Sequence, residues 1–444
     1  MKPKIIVLDD DPTGSQTVHS CLLLTLWDVD TLRLGLQDES PIFFILTNTR
    51  SLTPAQATKV TREVCHNLKA AIAAENIQDF LIVSRSDSTL RGHYPIETDV
   101  IAQELGPFDA HFLVPAFFEG GRFTRDSIHY LIVDGVPTPV HETEFARDSV
   151  FSYSHSYLPD YVAEKTQGRI AANDVERFLL ADIRGGNATL DRLLALSGNK
   201  CVAVDGENQE DLNRFAQDIL TAASRGKRFL FRSAASILTA LAALPPQPIA
   251  AAEMSQYVRG GKPGAFIVGS HVKKTTEQLQ QLLQAPGIVG IEVDVAQLLD
   301  DSIQPPSLLT QILEQIQQVI KAGRTPVVYT SRQELVFADV QARLQFGADV
   351  SALLMDIVRG LPPELGYLVS KGGITSNDVL STGLALTSAR LLGQILAGCS
   401  MVRTPADHPR FPNLPVVLFP GNVGDAEALV TVYNRLSSNR ELDK

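Results

Sequence analysis

Short apolar runs alternate with longer segments of helical period along this chain, and that rhythm restricts the fold more than any other feature. Lys4–Leu8, Ile42–Thr47, Phe80–Ser84 and Phe112–Val114 are compact apolar stretches closed by polar or proline punctuation, as buried strands are. Between the second and third, Ala57, Val60, Val64, Leu68 and Ile72 recur every three or four residues, and Pro54 follows Thr53 at a position suited to a helix start. Strand, helix, strand in succession calls for a parallel sheet with helices on its faces. The rhythm lapses over Asp134–Asn173, rich in Pro, His, Tyr and Ser, which reads as an excursion or lid. It resumes with Cys201–Asp205, a helix over Gln209–Ala223, and Arg228–Phe231.

Three prolines in four residues, within Leu244–Pro248, cannot continue a helix and favour an extended spacer. Beyond it the alternation restarts: strands over Ala265–Gly269, Ile288–Val293, Thr325–Thr330 and Gly366–Ser370, helices over Thr275–Leu283, Leu308–Ala322 and Val350–Gly360. The expected architecture is two α/β domains with mainly parallel sheets, residues 1–244 and 249–444, joined by a Pro-rich linker with an active-site cleft between them. At 444 residues each half is large enough to bury its own core. The formal net charge of -11 disfavours nucleic acid as a partner. The four cysteines form no CxxC pair, and no apolar run approaches the length of a membrane span, so a reducing cytoplasm and no membrane association are expected. The N-terminal apolar run is too short for a signal peptide. No two histidines stand at metal-ligand spacing, and no metal ligand set is assigned.

Polar motifs follow the strands. Asp9-Asp10-Asp11-Pro12-Thr13-Gly14 follows the first; three adjacent carboxylates there repel one another unless a cation, a hydroxyl-bearing ligand or backbone N–H groups compensate. Pro12 and Gly14 shape the turn. Arg85-Ser86-Asp87-Ser88-Thr89-Leu90-Arg91 follows the third strand and suits a small hydroxylated anion, with arginine for a carboxylate and Asp and Ser for hydroxyls. Pro115–Arg122 carries paired glycines before Arg122. In the second half, Gly269-Ser270-His271, Ser370–Asp378 with Gly372, Gly373, Ile374 and Thr375, and Phe419–Asp425 with Gly421 form three glycine-bearing loops at strand ends, a pattern that points to a nucleotide. No Walker-type P-loop, HExxH or GxSxG occurs.

Together DDDPTG, SDSTLRG, PAFFEGGR, GS, KGGITS and FPGNVGD, in this order across nearly the whole chain, resemble the four-carbon acid sugar kinase family. The resemblance implies phosphorylation of threonate, erythronate or a 3-oxo-tetronate by ATP, with the acid in the N-terminal domain and the nucleotide in the C-terminal one. It gives Asp10, Asp11, Gly14, Asp87, Ser88, Arg91 and Arg122 as acid-site candidates, and Ser270, Gly372, Gly373, Ile374, Thr375 and Gly421 as nucleotide candidates. Ile374 occupies the place where the family motif usually carries an acidic residue. Magnesium, an aspartate base and a cleft that closes are expected of such a transfer. Asp87 is the expected base, since it stands between arginines that keep it ionised; Arg91 is expected to hold the substrate carboxylate. A homodimer is left open. Two rivals are weighed. A haloacid-dehalogenase-like phosphatase would use Asp9 as nucleophile and Asp11 as acid, with Thr47-Asn48 as its second motif. A non-catalytic sugar-acid sensor would have no need of a nucleotide nest.

Overall fold

The computed structural model describes residues 3–186, 188–299, 305–332 and 340–437. The chain divides into two compact units, Met1–Pro246 and Gln247–Lys444, and residues 244–248 lie in neither helix nor strand.

In the first unit the strands are β1 Lys4–Asp9, β2 Leu22–Leu24, β3 Ile42–Leu46, β4 Phe80–Arg85, β5 Ala110–Val114, β6 Arg122–Arg125, β7 Ile128–Val133, β8 Val136–Pro139, β9 Glu176–Phe178, β10 Lys200–Val204 and β11 Phe229–Ser233. Eight of them form a parallel sheet in the order β2-β3-β1-β4-β11-β5-β10-β9. The near-continuous apolar sequences of the inner strands follow from burial on both faces, while the edge strand β9 carries Glu176 and Arg177. The helix Pro54–Ala74 between β3 and β4 begins as the sequence indicates. Thr53 and Gln56 form a reciprocal capping box and Pro54 takes the first turn, where its missing N–H costs nothing. Val64 and Leu68 then join one core cluster with Ile6, Phe43 and Ile82 of the sheet.

The excursion Asp134–Asn173 supplies β8, the last strand of the antiparallel sheet β6-β7-β8, and buries Tyr153 and Tyr161 in one cluster with Leu90 and Leu113. The Tyr153 hydroxyl donates to Thr89 O at 2.6 Å and that of Tyr161 to Leu90 O at 2.8 Å. The excursion therefore fixes the backbone of the Asp87–Arg91 loop.

In the second unit the strands are β12 Ala265–Val268, β13 Ile288–Val293, β14 Thr325–Thr330, β15 Leu368–Lys371, β16 Ser388–Leu396, β17 Cys399–Arg403 and β18 Pro415–Phe419. The order is β13-β14-β12-β15-β18-β17-β16, parallel through β18 and antiparallel for the last two. The four cysteines are buried free thiols. Among the described residues no helix is long and apolar enough to cross a membrane.

Each unit has a switch point beside its first strand. In the first unit the chain moves from β1 to β3 on one side and then to β4 on the other; in the second it moves from β12 outward to β13 and then back across to β15. Such switch points leave an open crevice at the carboxyl ends of the strands, where α/β proteins receive ligands.

Candidate active site

The switch point of the first unit gathers charge. Asp9, Asp10 and Asp11 leave the end of β1, and arginines compensate them, which the sequence reading did not name as a means. Arg50, just after β3, donates through Nε to Asp10 at 3.1 Å and through Nη1 to Asp11 at 3.3 Å, adds an Nη2 contact to Asp10, and lies 3.8 Å from Asp87. Arg85 Nη1 stands 3.6 Å from Asp9 and 3.7 Å from Asp10. Ser86 donates its hydroxyl to Asp10 at 2.9 Å.

The three carboxylates are not equivalent. Asp9 is fully buried, and burial outweighs Arg85, pushing its carboxyl up to about 8. A Cβ on residue 14 would sit 2.0 Å from Asp9 Oδ1, so Gly14 is where the turn passes over that carboxyl. A carboxyl enclosed in this way beneath the Gly14 turn lacks the open approach that a phosphatase nucleophile needs. Burial would also raise Asp11, but Arg50 and Arg85 outweigh it and hold that carboxyl below the usual range. Its Oδ1 accepts from Thr13 N at 2.8 Å.

Asp87 lies at the end of β4. It accepts from Thr89 N and Arg91 Nε, both at 3.0 Å, and from the Thr89 hydroxyl. Arg91 and Arg50 overcome its burial and keep it far below the ordinary carboxylate range. Arg91 is also engaged, with Nη1 3.5 Å from Asp148 and its guanidinium 4.9 Å above the Phe145 ring. Ser88 is buried, its carbonyl receiving His129 Nε2 at 2.7 Å. Arg122 packs its guanidinium 5.8 Å from the Phe117 ring and donates to Gly120 O. Its Nε has no hydrogen-bond partner among the described residues. Arg122 is close enough to Asp87 and Arg91 to feel both charges.

The candidates Asp10, Asp11, Gly14, Asp87, Ser88, Arg91 and Arg122 thus belong to one polar basin. Three members escaped the sequence reading: Arg50, Glu97 and Arg232. Glu97 accepts from Thr49 Oγ1 at 2.6 Å, and burial together with the Asp10 charge pushes it up to about 7. Arg232 is almost fully buried, donates from Nη2 to Arg91 O at 2.9 Å, and leaves Nε and Nη1 unpartnered among the described residues. The signal for Arg232 is visible in the sequence, a single charge inside the apolar run Phe229–Ser233.

The second switch point brings three loops together at the ends of the neighbouring strands β12, β15 and β18. Thr275 Oγ1 reaches Ser270 Oγ at 3.3 Å and Gly421 O at 3.2 Å, while Gly372 N donates to Phe419 O at 2.9 Å. Gly372 has φ 118° and ψ 143°, a conformation essentially confined to glycine. A Cβ there would lie 3.0 Å from Ser270 Cβ and 3.2 Å from Thr375 Oγ1. Ser270, Gly372, Thr375 and Gly421 therefore line one small region, beside which Gly373 opens the helix Gly373–Asp378. Ile374 differs: its side chain is 69% exposed, so only its backbone is available to the loops.

Lys371 is the member of this region that sequence reasoning did not single out. It is fully buried, donates from Nζ to Pro420 O and Gly421 O, and lies 4.1 Å above the Phe419 ring, with burial lowering it to about 7. Arg332 ties in from β14, donating to Ser270 O. Among the described residues no group of three or more His, Cys, Asp or Glu side chains is arranged for a metal ion.

Comparison with known proteins follows the same division. A model of a sugar-binding N-terminal domain matches residues 5–241, and one of a nucleotide-binding C-terminal domain matches residues 265–429. The chain is 24% identical to a D-erythronate kinase of Heliobacterium modesticaldum, over 97% of each. It is 28% identical to a D-threonate kinase of Bordetella bronchiseptica, over 35% of this chain and 38% of the relative. In fold it is similar to a Salmonella typhimurium LT2 protein described as a putative tRNA synthase, at TM-score 0.71 and 19% identity over the whole of both chains. A Haemophilus influenzae protein from a domain family of unknown function superposes at TM-score 0.62 and 16% identity, over 97% of this chain and all of that one.

Proposed function

Because the chain belongs to the four-carbon acid sugar kinase family, we propose that it transfers the γ-phosphoryl group of ATP to a terminal hydroxyl of a four-carbon sugar acid, with erythronate, threonate and 3-oxo-tetronates as the substrates to test. One observation carries this reading: the same chain holds a basin of buried arginines and carboxylates at one switch point and a three-loop glycine cradle at another. Residues 1–244 take the acid and residues 249–444 the nucleotide.

In the acid basin, Arg91 receives the substrate carboxylate, with Arg122 beside it. Asp10, Asp11 and Ser88 hold its hydroxyls, and Gly14 keeps the turn close. Arg50 and Arg85 cancel enough of the aspartate charge for an anion to approach. Asp87 orients the attacking hydroxyl. Its low proton affinity suits a loose transfer, in which the hydroxyl proton leaves late, after most of the phosphoryl bond has broken.

In the cradle, ATP supplies the phosphoryl group. The backbone N–H groups of Gly373 and Ile374, with the hydroxyls of Ser270 and Thr375, meet its phosphates, while Gly372 shapes the turn and Gly421 leaves room beside them. Magnesium in such enzymes is held largely by phosphates and water with one or two carboxylates, which the lack of a three-ligand cluster among the described residues leaves open. A panel of four-carbon acids assayed by coupled ATP consumption tests the proposal. ATP turnover dependent on one of these acids supports it, and no acid-dependent turnover with any of them refutes it.

A further inference from the structure

The ends of β13 and β14 and the helix Lys273–Leu282 line an open pocket of about 440 Å³ that none of the expected site residues line. Its walls are of three kinds. Leu279 and Leu283 form an apolar side, Tyr329 offers an aromatic ring, and Glu292 and Asp294 present carboxylates at the strand end. Glu292 and Tyr329 are register partners on adjacent strands, with the Tyr329 hydroxyl 3.4 Å from Glu292 Oε2. Arg332 is shared: its guanidinium lies 5.8 Å from the Tyr329 ring while Nη1 donates to Ser270 O in the phosphate cradle. The cavity and the cradle are therefore neighbours joined by one side chain.

Resting on the nucleotide role given above to this unit, we infer that this cavity receives the purine ribonucleoside of ATP. Its volume lies within the range of small-molecule pockets. A pair of carboxylates repels a second anion but accepts hydrogen bonds from a ribose diol, as carboxylates at strand ends do in nucleotide-binding sheets. The base lies against Tyr329 and the two leucines, where a flat apolar surface is favoured. Asp294 accepts from Ala296 N at 3.1 Å and from Gln297 Nε2 at 3.4 Å on its two oxygens, whereas Glu292, exposed at the rim, receives the Tyr329 hydroxyl on Oε2 at a long 3.4 Å, which makes Glu292 the principal partner for the ribose.

The test compares binding of ATP, 2′-deoxy-ATP and inorganic triphosphate to the full-length protein and to Glu292→Ala, a change at an exposed strand position. Tyr329→Leu serves as a second variant. The unaltered protein is expected to prefer ATP over 2′-deoxy-ATP. Glu292→Ala should weaken ATP by about tenfold, abolish that preference, and leave triphosphate within about twofold. Tyr329→Leu should weaken both nucleosides equally and spare triphosphate. If the unaltered protein binds ATP and both variants retain its affinity and the deoxy preference, the pocket assignment is overturned while the kinase reading stands. If the unaltered protein binds no ATP, both fall.

Discussion

Gly372→Ala isolates the cradle from the rest of the fold. At φ 118° and ψ 143° the residue occupies backbone space that an L side chain reaches only at a cost of about 1–3 kcal/mol. The added Cβ would also lie 3.0 Å from Ser270 Cβ, inside ordinary carbon contact distance, so Ser270 must yield. The loop has two ways to relieve this: it can relax, which removes the geometry that meets the phosphates, or it can hold its shape and lower the stability of the unit. Taking about 2 kcal/mol and the first route, ATP affinity falls by about thirtyfold. Calorimetric titration with ATP measures this, beside a melting curve and a titration with the preferred acid, which should be unchanged. ATP affinity equal to that of the unaltered protein, whether or not the melting temperature drops, would show that Gly372 serves only the backbone.

Asp87→Asn keeps shape and hydrogen bonds but cannot take a proton; kcat should fall by about 10² to 10⁴ with both substrates still bound, and a near-normal kcat would return the role to Asp10 or Asp11. Arg91→Lys keeps the charge but loses the planar fork, so KM for the acid should rise more than about tenfold; wild-type behaviour with every acid would move the carboxylate to Arg122. Glu97 has a folded pKa raised to about 7, so the stability linked to its protonation is full below the unfolded carboxylate range and is lost as pH rises through about 7. Melting temperatures of the Glu97→Gln variant should therefore decline less between pH 5 and pH 8, taken as roughly the span of that titration, and an unaltered slope contradicts the linkage.

Local chemistry wrote the parallel strands plainly. β1, β3 and β4 are uninterrupted apolar runs with polar stops, and the Thr53–Gln56 cap needs only its own turn to form. β16 and β17 were harder, because Arg390, Gly393 and Gln394 interrupt the apolar pattern and a bulged register near Gly393 absorbs the irregularity. The first half of the helix Val340–Gly360 lacks a steady apolar period, so only its end is legible from Val350. Site residues divide the same way. The aspartates and glycines announce themselves as motifs, whereas Arg50 joins the basin only through partners 37 to 40 positions away, Asp87 and Asp10. Which arginine among many faces those carboxylates is settled by strand order, which periodicity does not reveal. Glu97, in the helix Ile96–Leu105, has no motif at all and is recognisable only once Thr49 lies beside it.

The place of β11 bears on how the chain is made. It is the last strand of its unit to be synthesised, yet it lies between β4 and β5 in the middle of the sheet. Until it arrives, both of those strands present raw hydrogen-bonding edges, and Arg91 O lacks the Arg232 donor that anchors it. At about 5–20 residues per second on the ribosome, the wait between β5 and β11 is on the order of ten seconds. A nascent chain halted before Phe229 would carry all three strand-end motifs of this unit but neither its central strand nor Arg232. Arg232 comes with that strand, so the last strand of the unit to be made also supplies one of the buried cations of the polar basin.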